Sequence, residues 1–249
     1  MASSACSTVI CPTWTGGTRG SKIVPSDLTG TGYSHTRAPF TTARLAAQLL
    51  AFLMAMGLTG ADAPVLVGHS SGAAVVGLAA VERPDSVTGI MFLDGDGGPV
   101  PLPALLGGLL IDPYRTTLLR IGLRSDWLVR HIYSSQCGPS CPPLSSAGLQ
   151  SLRRPLQQPG TRAVIAFTLR HGIPSLTGTQ LDALRSLPVP KSVVFGSADP
   201  QYSRPTPAKV ATRIGAPAPT IVPGRHLTMI SSPQQVASAV RALAARTVP

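Results

Sequence analysis

The sequence predicts an α/β fold, a doubly wound, mostly parallel sheet carrying a helical insertion. Three observations carry this. Short runs rich in Val and Ile recur along the chain, and each ends in Gly, Asp or Ser. Helix-like segments alternate with them. One long stretch, 97–186, breaks that rhythm with apolar helical segments punctuated by Pro and Gly. The core is therefore expected in residues 1–96 and 187–249. Residues 97–186 are expected as a helical cap over the C-terminal edge of the sheet.

The strand candidates are SKIVPSD (21–27), APVLVGH (63–69), VTGIMFLD (87–94), KSVVFGS (191–197) and APTIVPG (218–224). Strands that are apolar on both sides suit a parallel sheet covered on both faces. Helices are expected at 41–58, 72–83 and 232–246. In such a sheet, polar and reactive groups gather at the C-terminal ends of the strands.

Composition bounds the function classes. The 249 residues are 43% hydrophobic and 12% charged, which fits one sizeable globular domain rather than a disordered chain. Pro and Gly number 25 each but form no repeat. Net charge is +11 and rests on Arg, with only Lys22, Lys191 and Lys209 as lysines and Glu82 as the single Glu. Codon-level bias toward Arg is one reading of that charge, and attraction to acidic partners is the other. There is no Lys/Arg run and only 4% of residues are aromatic, so nucleic-acid binding is not expected. An acidic-polymer binder rests on charge alone.

The first residues, MASSACSTVICPTW, lack a basic start and an apolar stretch of about 7–15 residues, so no signal peptide is expected and the reading is cytoplasmic. The most apolar helix candidate, 43–58, is too short for a comfortable bilayer span and carries Arg44 and Gln48. No membrane span is expected. Cys137 and Cys141 stand at C-x3-C spacing in a Gly/Pro loop, either bonded locally or as free thiols. No second Cys pair or His pair stands at ligand spacing, so no metal site is expected.

Residues 68–72, GHSSG, fit G-x-S-x-G between an apolar run and a small-residue run. A serine between strand and helix turns sharply, in a strained backbone conformation. Gly68 and Gly72 leave room for the turn. The Ser70 hydroxyl is lifted above the sheet edge, and the Ser71 N–H, at a helix N-terminus, can stabilise an oxyanion. A serine hydroxyl needs a base, and the base needs an orienting carboxylate. His226, in VPGRHLTM, follows the last strand candidate, and Asp199, in VVFGSADP, follows the one before. Asp94 or Asp96, in MFLDGDGG, is the alternative acid. The side chain of His69 is expected to point away from the nucleophile. His35, His131 and His171 fit a catalytic base less well.

Together, DLTGTGYS (27–34), GHSSG, GSADP and GRHLTMISSPQQVASAVRAL (224–243) resemble the loop, elbow, acid turn and terminal His segment of the α/β-hydrolase fold family. The similarity covers most of the chain. It implies Ser70 as nucleophile, Asp199 as acid, His226 as base, a cap between the sixth and seventh strands, and no cofactor. Members with an Asp nucleophile hydrolyse epoxides or haloalkanes, and Ser70 argues against both. Family members usually carry an early strand ending in His-Gly, whose loop gives the second oxyanion N–H. Here there is no His-Gly and the spacing is too short for the helix that usually follows; either TVI (8–10) is the strand and 13–17 the loop, which puts Trp14 near the oxyanion hole, or the family's first strands are missing. The leading expectation is a serine hydrolase acting on an ester-type bond, whether ester, thioester or lactone, of a small, apolar substrate through the Ser70–His226–Asp199 triad and an acyl-enzyme. The alternative is a hydrolase-fold protein that binds a small ligand with weak or no turnover. The insertion carries nine Arg, no Lys and three Asp. As a cap, it would favour anionic substrates; as ordinary solvated helix faces, it would not.

Overall fold

The computed structural model describes residues 6–15, 18–34, 38–99, 124–199 and 206–247. Among the described residues, six strands form one sheet: β1 (Cys6–Thr15), β2 (Thr18–Asp27), β3 (Val65–His69), β4 (Gly89–Leu93), β5 (Lys191–Gly196) and β6 (Thr220–Val222). Their spatial order is β2-β1-β3-β4-β5-β6. From β3 to β6 every pairing is parallel, while β1 runs antiparallel to both neighbours.

The parallel strands bury both faces, as their unbroken apolar runs require. Alternation sorts the side chains. Leu66, Ile90, Phe92, Val193 and Phe195 face one core. Val65, Val67, Met91, Leu93 and Val194 face the other. The first core is closed by α1 (Thr42–Ala55) and α2 (Gly72–Glu82). α2 is buried from Gly72 to Ala80, which its Ala- and Gly-rich sequence permits by letting neighbours approach closely.

Between β4 and β5 lie α3 (Asp126–Cys137), α4 (Ser146–Leu156), α5 (Pro159–His171) and α6 (Gly178–Ser186). α3 buries Val129, Tyr133 and Cys137, one stripe at helical spacing. Ser125 caps its first turn by accepting the Leu128 N–H at 3.2 Å. α5 lies against the loop after β2. Phe167 meets the Phe40 ring edge-on at 5.5 Å, and Val164 occupies the space a side chain on Gly30 would need. Leu176, Leu181 and Leu184, inside the segment expected as an insertion, belong to the first core and pack with α2. The apolar segment 102–111 lies outside the described residues.

After β5 come α7 (Pro207–Ile214), β6, the short α8 (Thr228–Ser231) and α9 (Pro233–Ala245). Val236 and Leu243 of α9 close the second core. α7 has no counterpart among the helices the periodicity predicts. No helix among the described residues is long and apolar enough to cross a membrane.

Candidate active site

The parallel strands deliver their C-terminal ends to one edge, and three expected residues meet there. Ser70 follows β3 with φ at 54°, a left-handed conformation that a non-glycine residue rarely adopts. Its N–H donates to the Leu93 carbonyl at 2.9 Å, and its carbonyl accepts from the Ala73 N–H at 3.0 Å, the start of α2. Gly68 is required by this turn: a Cβ there would stand 2.4 Å from the Gly72 carbonyl oxygen. Ser71 stands at the N-cap of α2.

Asp199 sits in the turn after β5, its N–H donating to the Gly196 carbonyl at 3.3 Å. Ser197 and Ala198 donate to Val222 and Gly224 at 2.8 and 2.9 Å, which ties this turn to the end of β6. His226 follows β6. Its Nδ1 is 2.8 Å from Asp199 Oδ2, and its Nε2 is 2.9 Å from Ser70 Oγ. A carboxylate only accepts, so Nδ1 carries the proton and Nε2 accepts the Ser70 O–H. The Asp199 and His226 side chains are only 1% and 5% exposed, so this hydrogen-bonded chain is shielded from water.

The backbone of His226 is held on both sides. Its N–H donates to the Gln136 carbonyl at 2.8 Å, and its carbonyl accepts from His69 Nε2 at 2.7 Å. Arg225 Nη1 donates to the Ser135 carbonyl at 3.1 Å. Gln136 and Ser135 belong to the last turn of α3, where Cys137 and Cys141 are disulfide-bonded with Cα atoms 5.7 Å apart.

Asp94 does not reach the His226 imidazole's Nδ1, which Asp199 occupies. It is fully buried, with φ at 48°. Its Oδ1 accepts from the Gly196 N–H at 2.9 Å. Its Oδ2 accepts from the Thr228 N–H at 3.2 Å and from the Thr228 hydroxyl. Burial pushes its pKa up to about 6, against the pull of these donors. Burial first, and the neighbouring His226 second, hold His69 down at about 4. His69 Nε2 and Asp94 Oδ2 are 4.0 Å apart, and burial disfavours the charged form of both side chains. Asp96, the other rival acid, accepts the Gly98 N–H at 2.9 Å in its own loop, and burial raises its pKa.

Trp14 corrects one expectation. In the β1–β3 register Ser7 pairs with Gly68 and Ile10 with Val65, so β1 runs away from the Ser70 edge as it advances. Trp14 pairs with Arg19 and lies seven residues beyond Ser7, roughly 23 Å along the strand at about 3.3 Å per residue. The cause is the hairpin: residues 13–15 continue β1 instead of forming a loop at its catalytic-edge end. Gly16 and Gly17 lie outside the described residues. The segment that the sheet does bring to the Ser70 edge is the loop after β2, since Cys6 pairs with Asp27 beside the Ser7–Gly68 pair. The role of Gln136, a backbone acceptor on an unrelated helix, left no signal in the sequence.

Among the described residues no group of three or more His, Cys, Asp or Glu could hold a metal ion. Similar solved structures include a thermophilic esterase from Thermogutta terrifontis (22% identity, 91% of this chain and 80% of that one, TM-score 0.69). A putative lipase from Acinetobacter baumannii AYE is 17% identical over 90% of this chain and 74% of that one, with a TM-score of 0.69. A serine hydrolase involved in carbazole degradation is 18% identical over 91% and 80%, with a TM-score of 0.68. No curated protein matches the sequence. At these identities the structures share the fold. The model of the alpha/beta hydrolase family matches residues 4–239, nearly the whole chain, and the chain belongs to that family.

Proposed function

We propose that this protein is a serine hydrolase that cleaves an ester-type bond of a small, apolar acyl substrate through an acyl-enzyme. The observation that carries the proposal is the Asp199–His226–Ser70 hydrogen-bonded chain at 2.8 and 2.9 Å, next to a strained serine backbone. In this reading Ser70 Oγ attacks the substrate carbonyl carbon as His226 Nε2 takes its proton. Asp199 holds the imidazole and stabilises the imidazolium. The Ser71 N–H, at the positive end of α2, donates to the oxyanion. Collapse expels the alcohol, which receives the proton from His226, and Ser70 is left acylated. Water, deprotonated by His226, then attacks the ester carbonyl, and collapse releases the acid as His226 returns the proton to Ser70 Oγ. Residues 97–186, or their part before Leu176, act as the cap. The arginines of that segment motivate an anionic preference.

The position of Trp14, away from the Ser70 edge, favours a second reading. With one expected oxyanion donor removed, the chain would bind a small ligand and turn it over slowly. Hydrolysis of short p-nitrophenyl esters, run beside ligand-induced melting shifts, separates the two. Turnover that saturates and disappears in Ser70→Ala supports the hydrolase. Melting shifts with a rate equal to that of Ser70→Ala support the binder.

A further inference from the structure

Two buried polar side chains take no part in the proton path above, yet both bind the segment that carries the base. His69 lies inside the elbow pentapeptide, immediately before Ser70, and is buried. Its Nε2 is 2.7 Å from the His226 carbonyl oxygen. A carbonyl only accepts, so Nε2 carries the proton and donates. Asp94 follows β4 and collects three donors: the N–H of Gly196, three residues before Asp199, and the N–H and hydroxyl of Thr228, two residues after His226. The nucleophile strand, the acid turn and the base loop are thereby joined beneath the site by side chains that do not touch the reacting atoms.

We propose that His69 and Asp94 are positioning residues, a buried latch that fixes residues 226–228 against the nucleophile strand and so sets the Ser70–His226 approach. The catalytic half of this proposal rests on the serine hydrolase reading above. Asp94, the rival acid of the sequence, thus serves the base through its backbone neighbour rather than through its ring. The left-handed backbone at both Ser70 and Asp94 follows the same logic. Strain at adjacent strand ends persists where the surroundings over-determine it, and the latch supplies those surroundings. The neutral state of His69, favoured by its burial, keeps its donor role intact at ordinary pH. Among the described residues, the titratable groups facing the pair are each other and His226.

The test compares wild type with His69→Leu, His69→Gln and Thr228→Val. Glutamine retains an amide N–H that can reach the His226 carbonyl; leucine retains only bulk. Thr228→Val keeps the shape and removes one donor to Asp94, which covers the case in which a His69 variant does not fold. Two readouts are taken: deuterium uptake of peptides spanning 224–231, and kcat and KM for p-nitrophenyl acetate per titrated active site. The latch predicts faster uptake confined to that segment in His69→Leu and Thr228→Val. It also predicts a kcat loss of roughly 10- to 100-fold with KM nearly unchanged, the scale of a misplacement of about 1 Å. His69→Gln is expected to recover most of both. Unchanged uptake in His69→Leu and Thr228→Val, or a His69→Gln as impaired as His69→Leu, overturns the latch. A wild-type chain without esterase activity but with the same uptake responses overturns the hydrolase reading and supports the latch as an anchor of the loop.

Discussion

His226 Nε2 stands 2.9 Å from Ser70 Oγ although 156 residues separate the two in sequence. The parallel order of β3, β4, β5 and β6 closes that distance, since Ser70 leaves the end of β3 and His226 follows the end of β6. Asp199 completes the chain from the end of β5 at 2.8 Å.

Asp199 is expected to outweigh Asp94 in turnover. Asp199→Asn keeps the shape at Nδ1 but favours the wrong imidazole tautomer, a change that can cost up to about 10⁴-fold in kcat. Asp94→Asn disturbs only the loop that carries the ring, so its loss is expected to be far smaller. Parallel kcat measurements on the two folded variants decide this. A larger loss from Asp94→Asn would reverse the assignment.

The pH dependence of stability carries a signature of the buried pair. Asp94, raised to about 6 from 3.8, holds an extra proton in the folded state between those values, so its contribution falls as pH rises through that window. His69, lowered to about 4 from 6.5, holds fewer protons when folded, so its contribution rises with pH between about 4 and 6.5. Each effect is on the order of 3 kcal/mol, and the signs are opposite, so they largely cancel in the wild type. Asp94→Asn is expected to uncover a stability that climbs with pH over this range, and His69→Gln one that declines. Denaturant unfolding at a series of pH values reads both slopes. Slopes of the same sign in the two variants would contradict these assignments.

The Cys137–Cys141 bond closes a short loop, with a sequence separation of 4, at the end of α3. Loop-closure entropy for so short a loop gives about 2 kcal/mol of stabilisation. Because the Gln136 carbonyl beside it holds the His226 N–H, reduction is expected to lower kcat as well as the melting temperature. Cys141→Ser and dithiothreitol treatment test this by thermal unfolding and ester turnover. Equal turnover before and after reduction would remove the link to the site.

Arginines dominate the charge of residues 97–186, and among the described ones Arg124, Arg130, Arg154, Arg170 and Arg185 are exposed. If that segment covers the site, a carboxylate-bearing ester should react with a higher kcat/KM than a neutral ester of similar size. The preference should shrink with added salt, which screens charges within about 8 Å at physiological strength. The same salt dependence for both esters would leave the charge as a property of the surface.

The parallel half of the fold is legible because its strands are short, apolar and β-branched, and because each ends at a residue that suits a turn. Ser70, Asp199 and His226 are readable from the same boundaries. The β1–β2 hairpin is not: TWT and TRG at 13–15 and 18–20 carry no apolar alternation, and pairing with each other rather than local pattern makes them strand. Trp14 is misread for that reason. α6 has few apolar residues, and its signal is the Thr177–Gln180 capping box instead of a stripe. α7 is short and opens on Pro207, so Val210, Ala211 and Ile214 give it barely one turn of periodicity before Gly215 ends it in a left-handed conformation. The roles of His69 and Asp94 depend on backbone partners 157 and 134 residues away, which no local motif encodes.

The proposed chemistry stands on Ser70 as a nucleophile activated by His226. Treatment of the folded protein with a fluorophosphonate probe, followed by mass mapping of the modified residue, tests it whatever the substrate is. One covalent adduct is expected, on Ser70, that disappears in Ser70→Ala and forms orders of magnitude more slowly in His226→Ala. An adduct on another serine, or labelling of Ser70 at the same rate in His226→Ala, would contradict it.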